Sequence, residues 1–310
     1  MIRNFSQDDV VHQGASSIII HGANENFYHP ICQKIINQEF PTSDQSWYFE
    51  NEFEFSSNIN CPSVRKALLK TTVENHKGIV FEYIDGITLE QYLREQGHSY
   101  TELLTLAVDL SFALAELHKV NIIHNNICPA NILVQNGTGK IFLIDLQVAS
   151  RSSIKLDDTN NHIIRKTGLT YIAPEQTGRI NRVVDNRTDL YSLGVVLYRI
   201  FTGKLPFDTT DPIELIYCHL AKMPVPPNEV NNEIPASISS VIMKLLAKNS
   251  EDRYQSAIGV YSDLQHCLIH KLERSETFPL GKNDFSGKLF LHPKLYGKEK
   301  ERETLSLIHI

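Results

Sequence analysis

The chain has 310 residues, 42% hydrophobic and 21% charged, enough for one large two-lobed domain or two ordinary ones with a buried core. A net charge of −6 and a pI near 6.1 supply no electrostatic reason to bind nucleic acid or an anionic membrane. Five scattered cysteines (Cys32, Cys61, Cys128, Cys218, Cys267) without a Cys-x-x-Cys pair argue against a disulfide framework and for a reducing compartment.

Residues 1–11 contain no basic region followed by an apolar stretch, so no leader is expected. The apolar runs near Ile18–Ile20 and Leu190–Phe201 are too short for a membrane span. A soluble, cytoplasmic protein is the expectation. Ser16–Ile20 and Pro30–Ile36 are β-branched runs ended by polar breakers, and Gly78–Ile84 has the texture of a buried strand. Gln45–Asn58, rich in aromatic and acidic residues, fits helix or strand, and its alternation alone favours strand.

From about Leu89 the texture becomes helical. Leu103, Leu106, Ala107, Leu110, Ala113, Leu114 and Leu117 recur at steps of three and four, one buried helix face. Ile132–Val134 and Lys140–Ile144 flank Asn136-Gly137 as a hairpin. Helical segments follow at Asp189–Phe201, Asp211–Ala221, Ala236–Ala247 and Ser256–His270, with a Pro- and Asn-rich loop at 223–235. A strand-rich front and a helical back predict an α+β fold of two lobes. The expected division is a β-rich small lobe over 1–84, a helical large lobe over 85–270 and a linker or arm over 271–310.

His124-Asn125-Asn126-Ile127-Cys128-Pro129-Ala130-Asn131-Ile132-Leu133 resembles the protein-kinase catalytic loop, H-R-D-x-K-P-x-N-I-L. Asp145-Leu146-Gln147 falls where kinases carry Asp-Phe-Gly, and Ala173-Pro174-Glu175 matches A-P-E. Asp189-Leu190-Tyr191-Ser192-Leu193-Gly194 matches D-x-W-S-x-G, and Arg253 stands where the family pairs an arginine with the A-P-E glutamate. Ile31-Cys32-Gln33-Lys34 resembles V-A-I-K. The resemblance thus implies a bilobal kinase-like fold. Lys34 would meet the ATP phosphates, Glu52 would be its helix partner, and Phe81 with Glu82, Tyr83 and Ile84 would form gatekeeper and hinge. Cys32 takes the place of the alanine that packs over the adenine ring. Gly14 is the single glycine retained in the phosphate-loop region Gln13–Ser17. Asn131 and Asp145 would hold Mg²⁺ through oxygen.

The 173–255 region further resembles the N-terminal kinase-like domains of large bacterial signalling proteins. There an AAA-type ATPase, sensor and histidine-kinase modules follow, and Leu295–Glu301 resembles the opening of that ATPase.

Six departures bear on catalysis. Asn126 occupies the position of the catalytic aspartate, and an amide is a very poor proton acceptor. Cys128 replaces the catalytic-loop lysine, and Asn125 the arginine before the aspartate. Leu146-Gln147 replaces Phe-Gly, Gly168 stands where a threonine is expected with Thr167 displaced by one, and Ser56 stands where an apolar residue is expected. Burial of the Cys128 thiol is the favoured reading over a reactive one. The resemblance implies an ATP–Mg²⁺-binding pseudokinase that signals to a protein partner or downstream ATPase. The alternatives are a slow Ser/Thr kinase and a scaffold that binds no nucleotide.

Overall fold

In this computed structural model the described residues are 10–13, 17–22, 30–73, 75–95, 97–151, 168–180, 182–270 and 276–285. Five strands, β1 (Val10–Gln13), β2 (Ser17–Gly22), β3 (Ile31–Ile36), β4 (Ala67–Val73) and β5 (His76–Glu82), make an antiparallel sheet in the order β1-β2-β3-β5-β4. Their β-branched runs suit a pleated surface buried on one face. That face carries Cys32, Ile36, Ala67, Ile79 and Phe81, packed against Phe49.

Phe49 belongs to α1 (Ser43–Asn58), so the strand favoured by alternation over 45–58 is a helix. Thr42 and Gln45 start it with a reciprocal capping box. Its buried residues Tyr48, Phe49, Glu52, Phe55 and Ser56 recur with helical period. The alternating aromatics misled because Phe53 is only partly buried, against the sheet core.

In the large lobe, β6 (Gly86–Thr88) pairs with β8 (Ile132–Gln135), and β8 with β9 (Ile141–Leu143). The two-residue strands β7 (Ile122–Ile123) and β10 (Ser150–Arg151) pair with each other. The helices are α2 (Leu89–Tyr92), α3 (Tyr100–Lys119), α4 (Asn186–Thr202), α5 (Pro212–Leu220), α6 (Pro227–Val230), α7 (Ala236–Leu245) and α8 (Ala257–His270). Short α6 lies in the segment read as loop, where Pro227 supplies its first turn.

Helix α4 is the hub of this lobe, with Asp189, Leu190, Tyr191, Leu193, Gly194 and Val195 all fully enclosed. A Cβ on Gly194 would stand 2.8 Å from the Leu245 Cβ, so a side chain there would push α7 away. Within the expected arm, residues 276–285 return to α8. Asp284 accepts from Gln255 N (2.8 Å), Ser256 N (2.9 Å) and Ser256 Oγ (2.7 Å), a cap supplied from downstream. Phe278 and Leu280 pack on the main core. Among the described residues no helix is long and apolar enough to cross a membrane.

Candidate functional site: the cleft between the lobes

Strand β3, helix α1 and the turn after β9 converge on one cation. Lys34 Nζ donates to Glu52 Oε1 (3.0 Å) and Oε2 (2.8 Å) and to Asp145 Oδ1 (2.6 Å). Burial pulls its pKa down, but the Asp145 and Glu52 charges outweigh burial and hold it above the ordinary lysine value. Lys34 therefore stays charged. Glu52 is 1% exposed and accepts a further bond from Gln147 Nε2 (3.0 Å). Neighbouring Asn51 donates to the carbonyls of Gln147 (2.9 Å) and Ala149 (3.0 Å). Together these bonds clamp α1 onto the 3₁₀ turn Leu146–Val148.

The large-lobe side of the cleft is organised by buried Asp189. Its carboxylate accepts from His124 N (2.8 Å), Asn125 N (2.8 Å) and His118 Nε2 (2.9 Å). Asn125 sits at φ 62°, a left-handed conformation that asparagine tolerates. Its amide donates to Val148 O and Ser150 Oγ, both at 2.9 Å. Asn131 Nδ2 donates to Asn126 O (3.0 Å), which ties the loop across its own turn and leaves the Asn131 amide oxygen as its acceptor end. Ile144 N donates to Asn131 O (3.0 Å), so Asn131 and Asp145 emerge beside each other at one end of the β8–β9 hairpin. An amide oxygen and a carboxylate there form a hard donor pair that fits Mg²⁺.

Residues 5–270 match the protein kinase domain family. The chain belongs to that family. It is 30% identical over 271 residues to a probable serine/threonine-protein kinase of Clostridium acetobutylicum, a match over 86% of this chain and 40% of that protein. It is 30% identical over 263 residues to serine/threonine-protein kinase PknB of Mycobacterium leprae, covering 83% and 42% of the two. The matches span about two-fifths of these relatives' length. A mutant PknI kinase domain from Mycobacterium tuberculosis superposes with a TM-score of 0.64 at 18% identity, over 84% of this chain and 93% of that one. This likeness shows the fold, a β-sheet small lobe on a helical large lobe.

In this kinase domain the A-P-E glutamate does meet its arginine. Arg253 Nη1 and Nη2 reach Glu175 Oε1 (2.7 Å) and Oε2 (2.9 Å), with both side chains enclosed. Gln176 links this turn to the catalytic loop through Asn125 O (2.8 Å). Burial pushes the Cys128 thiol up to about 12, which disfavours a thiolate at neutral pH. Gly14 and Thr167 lie outside the described residues. At the hinge, the Glu82 carboxylate is turned to Lys66 N (2.9 Å), while Ile84 packs with Leu133, Phe142 and Ile144.

Sequence reasoning missed Asn51, Arg65 and the role of Gln147. Gln147 read as the loss of a flexible glycine, yet it adds a hydrogen bond to the ion pair. Arg65 gave no signal, because a charged residue at a strand entry normally faces water. His266 and His270, at His-x-x-x-His spacing on α8, have ring centroids 4.2 Å apart. Among the described residues no third His, Cys, Asp or Glu joins them.

Proposed function

We propose that this kinase domain holds an ATP–Mg²⁺ complex between its lobes and serves as a catalytically impaired regulatory module. The observation that carries this is the Lys34 ammonium, ion-paired at once to Glu52 and Asp145, in a cleft whose base position is an amide, Asn126. Lys34 supplies the cation for the nucleotide phosphates, and Glu52, fixed by Gln147, aims it. Asp145 and Asn131 would hold the metal, which when bound neutralises charge on the phosphates. The Asn126 side chain positions a hydroxyl poorly and takes no proton from it. General-base assistance is typically worth about 10² to 10⁴ in rate, and that term is absent from this site.

A slow Ser/Thr kinase is the second reading. The assembled Lys34–Glu52–Asp145 group favours it, since positioning and charge neutralisation dominate phosphoryl transfer. Signalling to a partner, or to an ATPase or sensor module in a longer protein, belongs to the proposal.

The deciding experiment follows labelled γ-phosphate from ATP, with Mg²⁺ or Mn²⁺, in the native chain and in Lys34→Ala and Asn126→Asp. The expected result is no transfer by the native chain and transfer by Asn126→Asp. Native transfer lost in Lys34→Ala would make the protein a kinase despite Asn126. No transfer by any of them, together with no binding of ATP or any other purine nucleotide at millimolar concentration, would overturn the nucleotide-binding reading and leave a scaffold.

A further inference from the structure

A second cation, Arg65, lies buried against the Cys32–Phe81 pair of the sheet, and the phosphate chemistry does not use it. Arg65 enters between α1 and β4, and its side chain turns inward instead of out to water. Its guanidinium carbon lies 4.4 Å from the centroid of the Phe81 ring. Its Nη1 lies 3.6 Å from Cys32 Sγ. The residue is 6% exposed, and its Nε has no hydrogen-bond partner. No carboxylate pairs with it among the described residues. A buried guanidinium in that condition is costly unless an acceptor meets it.

Its surroundings identify the acceptor. Cys32 and Phe81 are directly opposed across β3 and β5. Cys32 lies two residues from Lys34 and so shares its face of the sheet, the face toward the cleft. In the reading above, the base of the nucleotide lies under Cys32 with Phe81 at its back edge. On that reading the guanidinium would face the base edge. It can only donate hydrogen bonds. Adenine offers an amino donor at C6, so the two groups oppose each other there. Guanine offers O6 beside N7, two acceptors, and an arginine fork on that pair is the commonest base-specific contact in DNA recognition.

We propose that Arg65 reads the base edge of the bound nucleotide and turns the preference of this cleft from adenine toward a 6-oxopurine such as guanine. This rests on the cleft holding a purine nucleotide at all. A bidentate contact of this kind discriminates between bases by roughly 10- to 100-fold.

The test is the ratio of dissociation constants for the Mg²⁺ complexes of GTP, ITP and ATP, measured by calorimetry on the native chain, Arg65→Val, Arg65→Met and Lys34→Ala. GTP and ITP should bind the native chain about 10-fold or more tighter than ATP, since ITP keeps O6 and lacks the 2-amino group. Either Arg65 variant should bring the ratio back to ATP, while Lys34→Ala should weaken all three nucleotides alike. ATP binding as well as or better than GTP in the native chain overturns the inference and leaves the proposed function standing. A preference for GTP that survives in the Arg65 variants also overturns it. No binding of any nucleotide by the native chain or the Arg65 variants would sink both readings. The native ratio needs no variant, so a variant that fails to fold does not spoil the test.

Discussion

Replacing Asn51 by leucine tests whether α1 is held by its clamp or merely by packing. Leucine has the same number of side-chain heavy atoms as asparagine but cannot donate. The change strips Gln147 O and Ala149 O of donors at 2.9 and 3.0 Å. A neutral hydrogen bond contributes about 0.5–1.5 kcal/mol net, so losing two costs about 2 kcal/mol. The third contact, to Leu146 O at 3.5 Å, is too long to add much. If the loss falls on the α1 interface alone, about 2 kcal/mol is roughly a 30-fold rise in local opening. Amide hydrogen exchange reads this directly. Amides from Trp47 to Phe55 should exchange about 30-fold faster, while α3 and α4 keep their protection. Unchanged α1 protection would refute the clamp. An equal loss in α3 and α4 would also refute it, because the bonds would then support the whole domain and not the position of α1.

Two further outcomes concern the scaffold. Glu175→Gln strands the enclosed Arg253 charge and should cost about 3–5 kcal/mol, lowering the melting temperature by roughly 10 °C. The Glu175→Gln/Arg253→Met double variant should be markedly more stable than the sum of its singles implies, and strict additivity in thermal melts would contradict a coupled pair. His219 is held neutral by burial and by the Lys248 charge, its pKa down from 6.5 to about 4. The unfolded chain gains a proton below 6.5 that the folded chain refuses, so stability falls as pH drops from 6.5 toward 4, by up to about 3 kcal/mol. Urea midpoints measured from pH 7 to 4 should show that loss shrinking in His219→Gln, and an unchanged pH profile would rule His219 out.

The sequence made the large lobe legible because its motifs are local and ordered. His124–Leu133, Ala173–Glu175 and Asp189–Gly194 announce themselves by spacing, and the periodicity of α3 is carried by leucines and alanines of a face that is buried apart from the partly covered Leu103. The small lobe was harder for physical reasons. Helix α1 packs two different surfaces, the sheet through Phe49 and the 3₁₀ turn through Tyr48 against Val148. Its apolar residues thus spread around the helix and imitate alternation. The partners of Glu52 include Gln147, ninety-five positions away, and no periodicity reports such a distance. The same limit hides the return of Asp284 to α8, since a cap supplied from downstream has no signature at the helix it caps.

The nature of the departures bears on why the cleft is kept. A site decaying after loss of catalysis would leave its substituted positions without partners. Here Gln147 gains the Glu52 carboxylate, and Asn125, in place of an arginine, ties the catalytic loop to Val148 and Ser150. These contacts are made by residues that differ from the kinase motifs at the same positions. Each contact joins α1 or the catalytic loop to the segment after Asp145, the same junction that Lys34 bridges from β3. Such links cost specific side-chain order. The Gln147–Glu52 bond joins the two lobes beside Lys34, and the Asn125 bonds brace the large-lobe side of that junction. Under the function proposed above, the output of the domain would be its conformation with nucleotide bound, and the Asn126→Asp variant would meet a cleft already organised by these links.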